Sequence, residues 1–321
     1  MNYYWDSLDC VEINGEKVDK WTVFFLKKLN TIPWWTWNVI HSILASYFLE
    51  LKKDKTFTIE KYEEMWLDKL IEAKIKIPYF LSAQRDYTKW YNASVDKDLE
   101  KKNGIIWLVE HYYKEIPEDQ HDKYVAIIID NIKNSLFNFS KSQIYQEIMK
   151  NYDKYEIYTE PPKKDFDAMK FRSDWVADWN VDLFVQPDFY LKEKWENKYI
   201  IVDWKTWDIS SRDGALPEQL LAEWYRIYTD NNCDENIKIE WFYGNLDNNW
   251  VLSSWDKIWI ESFKSYEAEI NRQIEKLSEN LVDNDVVSNN PVSIDKFPET
   301  EDCKKCETCA FRCICKKKTH E

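Results

Sequence analysis

Two aspartates and a lysine stand at the ends of neighbouring apolar runs. The run Ile200–Val202 leads directly into Asp203, and Lys205 follows two residues later. Asp188 comes at the end of an earlier apolar run, and a short charged segment separates the two runs. Because residues i and i+2 of a strand share a face, Asp203 and Lys205 are expected to point the same way. Metal-dependent cleavage of a phosphodiester needs such a set of two carboxylates and one lysine.

Each residue of this set has a chemical role in such a reaction. The carboxylates of Asp188 and Asp203 are suitable ligands for Mg²⁺ or Mn²⁺. The backbone carbonyl of Trp204 is expected to be available to the same metal. Lys205 is expected to orient or deprotonate the attacking water, or to stabilise the anionic transition state. For the Asp-x-Lys triplet taken alone, an exposed ion pair at a strand end is the alternative interpretation.

These residues carry a family resemblance. Pro187–Asp188 followed by Asp203-Trp204-Lys205 resembles the PD-(D/E)xK nuclease superfamily. The segment Val202–Thr206 is similar to its RecB-like exonuclease branch, which includes the AddB and CRISPR-associated RecB-like types. The resemblance implies an α/β fold with a restriction-endonuclease-like αβββαβ core and a large N-terminal helical lobe. It also implies a metal-binding histidine on an early helix, and His41 matches that position.

The same branch has a helix after the lysine strand that begins with a glutamine. Gln219 matches this glutamine, and the resemblance implies a supporting role for it in catalysis. The branch has a tyrosine four residues later, where this chain has Glu223. Tyr225 lies six residues after Gln219 and is not expected to share its helical face.

The periodicity of apolar residues predicts the elements that position this set. Apolar residues at helical spacing from Ile40 to Leu51, repeated as far as Phe137, predict a mainly helical first third. Further along, alternating or β-branched runs predict strands, and two later apolar patterns predict helices. The predicted strands are 155–159, 181–191 and 198–204, and the predicted helices are 217–228 and 259–277.

Two further strands and three regions complete the predicted organisation. Ile237–Tyr243 and Trp250–Ser254 are predicted to pair as a hairpin across a loop rich in Asn and Asp. We expect three consecutive regions along the chain. They are a helical lobe over residues 1–150 with His41, a nuclease core over residues 151–277, and a linker with a cysteine cluster over residues 278–321.

Five of the seven cysteines lie close together near the end of the sequence. In a reducing compartment such a group predicts a metal or cluster site. The spacing of Cys306, Cys309 and Cys315 resembles the C-terminal triplet of the iron–sulfur members of the branch. That resemblance implies a [4Fe-4S] cluster with one distant upstream cysteine as the fourth ligand, and Cys10 fits this role. Zn²⁺ is the alternative metal, and Cys303 and Cys313 offer an alternative local ligand set.

Composition restricts the class of protein. The net charge of −14 argues against a protein that coats nucleic acid non-specifically, since backbone binding needs cations. No apolar run has the length of a membrane span, and no signal peptide is recognised, so a cytoplasmic, intracellular chain is expected. A phage- or virus-encoded origin stays open.

Aromatic residues make up 17% of the chain. The tryptophans at 34, 35 and 37 are interpreted as core residues, or as a stacking surface for unpaired bases.

The sequence therefore predicts a divalent-metal-dependent DNA nuclease. We expect an exonuclease that acts on single-stranded DNA or on DNA with free ends. A structure-specific endonuclease and a non-catalytic nucleic-acid-binding protein that keeps the nuclease fold are the alternatives. The chain has no phosphate-binding loop of the NTPase type. It is therefore expected to act alone or with a helicase, a recombinase or a CRISPR adaptation partner.

Overall fold

A computed structural model of the chain shows a mixed α/β fold in which helices predominate and the sheets are small. Among the residues that the structure describes, no helix has the length and apolarity needed to cross a membrane. The described residues are 10–13, 16–87, 106–159, 169–172, 180–183, 185, 187–205, 218–234, 236–246, 260–284, 292, 303–307 and 309–313.

Within these ranges eleven α-helices are numbered in chain order. They are α1 (Lys20–Lys28), α2 (Ile32–Lys53), α3 (Ile59–Tyr62), α4 (Asp68–Ile71), α5 (Ile77–Ala83), α6 (Val109–Tyr112), α7 (His121–Lys141), α8 (Gln143–Lys150), α9 (Glu218–Asp230), α10 (Ile260–Ser278) and α11 (Cys303–Glu307). Two π-helical turns, Glu63–Leu67 and Glu72–Lys76, join α3, α4 and α5 into one continuous helical segment.

The strands are numbered in the same way. They are β1 (Cys10–Ile13), β2 (Glu16–Asp19), β3 (Leu29–Asn30), β4 (Trp107–Leu108), β5 (Tyr155–Thr159), β6 (Met169–Arg172), β7 (Asn180–Leu183), β8 (Phe189–Glu193), β9 (Lys198–Lys205) and β10 (Lys238–Asn245). Three two-stranded sheets, β1–β2, β3–β4 and β6–β7, accompany one four-stranded sheet with the order β10-β9-β8-β5.

The four-stranded sheet combines antiparallel and parallel pairs. β5 pairs antiparallel with β8, and β8 pairs antiparallel with β9 so that Phe189 faces Val202. β9 and β10 run parallel, with Asp203 beside Tyr243. The four residues between β8 and β9 suffice for a hairpin, whereas the parallel pair needs a longer crossover, which contains α9.

One prediction about the strands is wrong in detail, and another is not tested. β10 lies parallel to β9, because the crossover that contains α9 returns the chain to the same end of the sheet. The segment Trp250–Ser254 lies outside the described residues, so its predicted hairpin with β10 stays a prediction. The predicted strand over residues 181–191 is divided between β7 and β8. Pro187 stands just before β8, where a residue without a backbone N–H cannot continue a ladder.

The chain divides into two compact units. The first unit comprises Met1–Thr36, Asp68–Ile129 and Lys276–Glu321, and the second comprises Trp37–Leu67 and Asp130–Glu275. The first unit thus contains both ends of the chain, and the second contains the four-stranded sheet. The three consecutive regions expected from the sequence stay a prediction.

The second unit buries aromatic and β-branched side chains on a face of its sheet. Tyr199 and Ile201 of β9 pack with Trp224 of α9 and with Phe263 and Ile270 of α10. The alternation of side chains along a strand assigns these two β9 residues to one face. The amphipathic helices predicted around residues 217–228 and 259–277 are thereby confirmed as the layer that covers it.

The first unit contains a buried polar network around His111. Its Nδ1 lies 2.9 Å from Oγ of Ser82, and this oxygen lies 2.8 Å from the hydroxyl of Tyr87. The Tyr87 hydroxyl donates to the Ser82 carbonyl at 3.0 Å, and the N–H of Leu108 donates to Ser82 Oγ at 3.2 Å. Burial and the neighbouring His121 lower the pKa of His111 to about 4. The imidazole is therefore neutral in the folded protein at neutral pH.

We expect the fold to lose stability as the pH falls from 7 to 5. The ordinary pKa of 6.5 for His111 exceeds its folded value of about 4, so the unfolded chain binds a proton in this interval that the folded chain does not. The free energy of unfolding should fall by about 2 kcal/mol from this group. Urea denaturation at the two pH values measures it. The His111→Gln variant should lose about 2 kcal/mol less over the same interval, and an unchanged pH dependence would contradict the assignment.

Candidate metal centre

Asp203 lies near the end of β9 with its side chain fully buried. An ionised carboxylate without water is costly unless it is hydrogen-bonded, paired with a charge or bound to a metal. The antiparallel register of β8 and β9 pairs Phe189 with Val202. Continuing this register by one residue places Asp188 opposite Asp203. The two predicted carboxylates are thus brought to the same end of the sheet.

His41 lies beside the first of these carboxylates. Its Nδ1 is 3.3 Å from Oδ2 of Asp188, and the two side chains are only 8% and 14% exposed. The other ring nitrogen, Nε2, is buried and has no hydrogen-bond partner among the residues that the structure describes. A buried imidazole nitrogen in this state carries a desolvation cost that a bound ion would relieve. The pairing of His41 with Asp188 is therefore a candidate metal-binding feature.

Helix α2 positions His41 through its apolar stripe. The stripe includes Ile40, Leu44, Tyr47 and Phe48, all of them buried, as the helical spacing in the sequence predicts. Phe48 stacks on Phe189 with ring centroids 4.2 Å apart. Because Phe189 directly follows Asp188, this contact anchors the helix next to the carboxylate.

Trp204 lies between Asp203 and Lys205, and its carbonyl is already engaged. The indole Nε1 of Trp37 donates a hydrogen bond to this carbonyl at 3.3 Å. A carbonyl oxygen has two lone pairs, so its availability to a metal stays a prediction. The contact with Trp37 forms because α2 passes close enough to β9 for an indole to reach the strand, which the sequence does not indicate.

Gln219 occupies the first turn of α9 and is exposed. Its amide Nε2 donates to Oε1 of Glu223 at 3.1 Å, and the Glu223 side chain is buried. Glu223 is a buried carboxylate that we did not assign to the site from the sequence. The only sequence signal for it is the spacing of four residues, which places the two side chains on one helical face. Lys205 is the last residue of β9, and residues 206–217, which follow it, lie outside the described residues.

The predicted metal ligands converge only in part. His41 and Asp188 are in contact, and strand register places Asp203 next to Asp188. Within the described ranges, His, Cys, Asp and Glu side chains form no group of three or more that is close enough to hold a metal ion.

Tyr225 has a place in the core and not at this site. Its side chain is buried in the cluster between α9 and α10, and its hydroxyl donates to Oε1 of Glu267 at 2.7 Å. Burial and this hydrogen bond raise the pKa of Tyr225. The displacement of the tyrosine from the helical face of Gln219 agrees with a structural role.

The cysteine-rich segment packs in the first unit. Cys306 of α11 is buried, and two backbone hydrogen bonds form consecutive turns after it, from the N–H of Cys309 to the Cys306 carbonyl and from the N–H of Arg312 to the Cys309 carbonyl. Ala310 and Phe311 pack against the core cluster that includes Phe25, Leu26, Leu29, Trp107 and Val109.

The structure describes some of the other cysteines of the predicted cluster and leaves Cys315 outside the described residues. Cys10 begins β1 and Cys303 begins α11. Cys313 is exposed, and its backbone N–H donates to the hydroxyl of Tyr113 at 3.3 Å. Burial and the nearby Cys313 thiol raise the pKa of Tyr112 to about 12. Cys233, expected to be an ordinary surface thiol, is exposed.

The tryptophans before His41 differ in exposure. Trp35 is buried and lies 6.5 Å from Tyr79 in a stacked arrangement, whereas Trp34 is 49% exposed. Trp37 is half-buried, with its ring centroid 4.0 Å from that of His41. The interpretation as core residues therefore applies to Trp35, whereas base stacking on the other two tryptophans stays a prediction.

Comparison with family models, with curated proteins and with solved structures finds no match for this chain.

Removal of the Tyr225 hydroxyl should destabilise the second unit. Tyr225→Phe loses a hydrogen bond to a carboxylate at a buried position, so we expect the free energy of unfolding to fall by about 1–2 kcal/mol in urea denaturation. Tyr158→Phe is a matched control, because the Tyr158 hydroxyl also donates to a glutamate, Glu156, but in an exposed setting at 3.0 Å. The control should change stability by less than about 0.5 kcal/mol. Equal losses in both variants would contradict a buried structural role for Tyr225.

Proposed function

We propose that this chain is a divalent-metal-dependent deoxyribonuclease of the PD-(D/E)xK type. The observation that carries the proposal is the contact between His41 and Asp188 beside the buried Asp203. These three side chains come from α2, from the residue before β8, and from β9. One imidazole and two carboxylates are the kind of donors that bind Mg²⁺ or Mn²⁺.

The topology of the second unit supports a restriction-endonuclease-like core. Helix α8 precedes three antiparallel strands in the order β5, β8, β9, and helix α9 then leads to β10, which is parallel to β9. This order of elements supports the αβββαβ core that the resemblance implies. The hairpin β6–β7 is an insertion between its first two strands.

The donor set fits a hard divalent cation. Asp188 and Asp203 provide carboxylate oxygens, and the ring of His41, whose Nδ1 already faces Asp188 at 3.3 Å, provides a nitrogen. When bound, Mg²⁺ or Mn²⁺ supplies a water of lowered pKa and a positive charge beside the scissile phosphate. The protein residues that would hold it are His41, Asp188 and Asp203.

Two more residues are proposed to act on the substrate. Lys205 would accept the proton of the attacking water, orient it, or donate to the phosphate oxygens as their charge grows. Gln219, exposed at the start of α9, would contact the phosphate or position Lys205. DNA is the proposed substrate, single-stranded or with free ends, and cleavage is proposed to be exonucleolytic. A helicase, a recombinase or a CRISPR adaptation complex is the proposed kind of partner.

Substitution of Asp203 tests the proposed nuclease. With Mg²⁺ or Mn²⁺, the wild-type protein should degrade end-labelled single-stranded DNA. The cleavage rate of Asp203→Asn should be lower by more than about 100-fold, because mutation of residues that only hydrogen-bond to metal ligands already costs about 10–100-fold in activity. Asp153→Asn is the control, since Asp153 is an exposed carboxylate whose partner is Lys55 at 3.1 Å. Circular dichroism of each variant verifies folding.

The outcomes of this assay separate the alternatives. Activity that survives in Asp203→Asn would refute the assigned site. Cleavage of circular single-stranded DNA would refute a strict exonuclease in favour of an endonuclease. DNA binding without metal-dependent cleavage by the wild-type protein would favour a non-catalytic binding protein.

We also propose a [4Fe-4S] cluster held by Cys10, Cys306, Cys309 and Cys315. The support is that both ends of the chain belong to the first unit, with β1 carrying Cys10 and α11 carrying Cys306. A cluster with these ligands would link the two chain ends covalently through iron. Cys313 is not in the set, since it is exposed beside Tyr113.

Anaerobic purification tests the cluster. The protein should be brown, with broad visible absorption and equal amounts of iron and sulfide, because thiolate-ligated iron–sulfur clusters absorb across the visible range. Cys306→Ser should lose the colour, whereas Cys313→Ser should keep it. A colourless protein that contains Zn²⁺ would refute the cluster. Loss of colour in Cys313→Ser together with its retention in Cys10→Ser would assign the local ligand set instead.

A further inference from the structure

Trp37 covers the ring of the proposed metal ligand His41. The two residues are four apart on α2, so their side chains lie on one helical face. Their ring centroids are 4.0 Å apart with an angle of 43° between the planes. An indole at this distance occupies the space into which the imidazole would rotate, and it therefore restricts the orientation of His41.

The same indole is hydrogen-bonded to the strand that carries the second carboxylate. Nε1 of Trp37 donates to the carbonyl of Trp204, the residue next to Asp203, at 3.3 Å. The Trp204 side chain is itself buried against Phe139 and Phe189, with ring centroids 5.5 and 5.8 Å away. The acceptor of this hydrogen bond is thus held in place by packing.

We propose that Trp37 is a positioning residue of the metal centre, which sets the separation between His41 on α2 and Asp203 on β9. This inference rests on the proposed function, because it takes those two side chains as metal ligands. The indole acts on both at once: its face holds the imidazole, and its N–H holds the peptide next to the carboxylate. Divalent metals in octahedral coordination tolerate little displacement of their ligands, so a shift of either element should weaken binding.

Trp37→Phe separates these two contacts. Phenylalanine keeps an aromatic face against His41 but has no N–H for the Trp204 carbonyl. We expect its dissociation constant for Mn²⁺, measured by calorimetry and by the electron paramagnetic resonance of free Mn²⁺, to rise about tenfold, as for other residues that orient metal ligands. Trp34→Phe is the matched control: Trp34 is exposed in the same tryptophan segment and should leave Mn²⁺ affinity unchanged.

The same substitution made in a His41→Ala variant distinguishes a positioning role of Trp37 from a general effect on the stability of the fold. In His41→Ala there is no imidazole whose distance from Asp203 the Trp37 hydrogen bond could set, so adding Trp37→Phe should weaken Mn²⁺ binding much less than it does in the wild type. An equal loss in both backgrounds, or wild-type affinity in Trp37→Phe, would overturn the positioning role. A wild-type protein that binds no Mn²⁺ would overturn this inference and the proposed site together. Mn²⁺ binding with the predicted coupling but without DNA cleavage would support the positioning role and refute only the nuclease.

Discussion

The packing of α2 on the four-stranded sheet is the interaction on which the candidate site depends. Phe48 stacks on Phe189, and His41 lies two helical turns before Phe48. Asp188 directly precedes Phe189, so one aromatic contact determines how close the imidazole and the carboxylate come. Burial of two phenylalanine rings is worth several kcal/mol, so this apolar contact can hold the imidazole and the carboxylate at their positions.

The two ends of the β8–β9 hairpin compensate their buried carboxylates differently. At the turn end, Glu193 is buried, and Lys154 and Lys198 approach it at 3.0 and 3.2 Å. Burial alone would raise the pKa of Glu193, but the hydrogen bonds from the two lysines keep it below its ordinary value. At the other end, Asp188 has an imidazole as its neighbour. Lysines that pair with a buried carboxylate offset the cost of burying its charge, whereas an imidazole beside carboxylates is an arrangement that binds metal ions.

Helices and strands with a strong apolar periodicity were predictable from the sequence. The pairing of the strands in the sheet was less predictable. The helix through His41, the strands β5 and β9 and the helix α10 lie where the apolar pattern places them. The direction of β10 was not predictable, because an apolar run is the same in a parallel and in an antiparallel pair. The division between β7 and β8 depends on Pro187, which reads as a minor interruption in the sequence but stands where the ladder has to begin again.

The sequence by itself determined which residues are chemically suited to a metal site, since the type and spacing of His41, Asp188 and Asp203 do not depend on their environment. It also determined that Tyr225 is displaced from the face of Gln219, because helical spacing follows from residue number. Only the tertiary structure decided that Trp37 reaches the Trp204 carbonyl and that Glu223 is buried beside Gln219. The contact of Trp37 joins residues 167 positions apart. A contact over that distance is produced by the packing of a helix on a sheet, and local sequence patterns carry no record of which side chains such packing brings together.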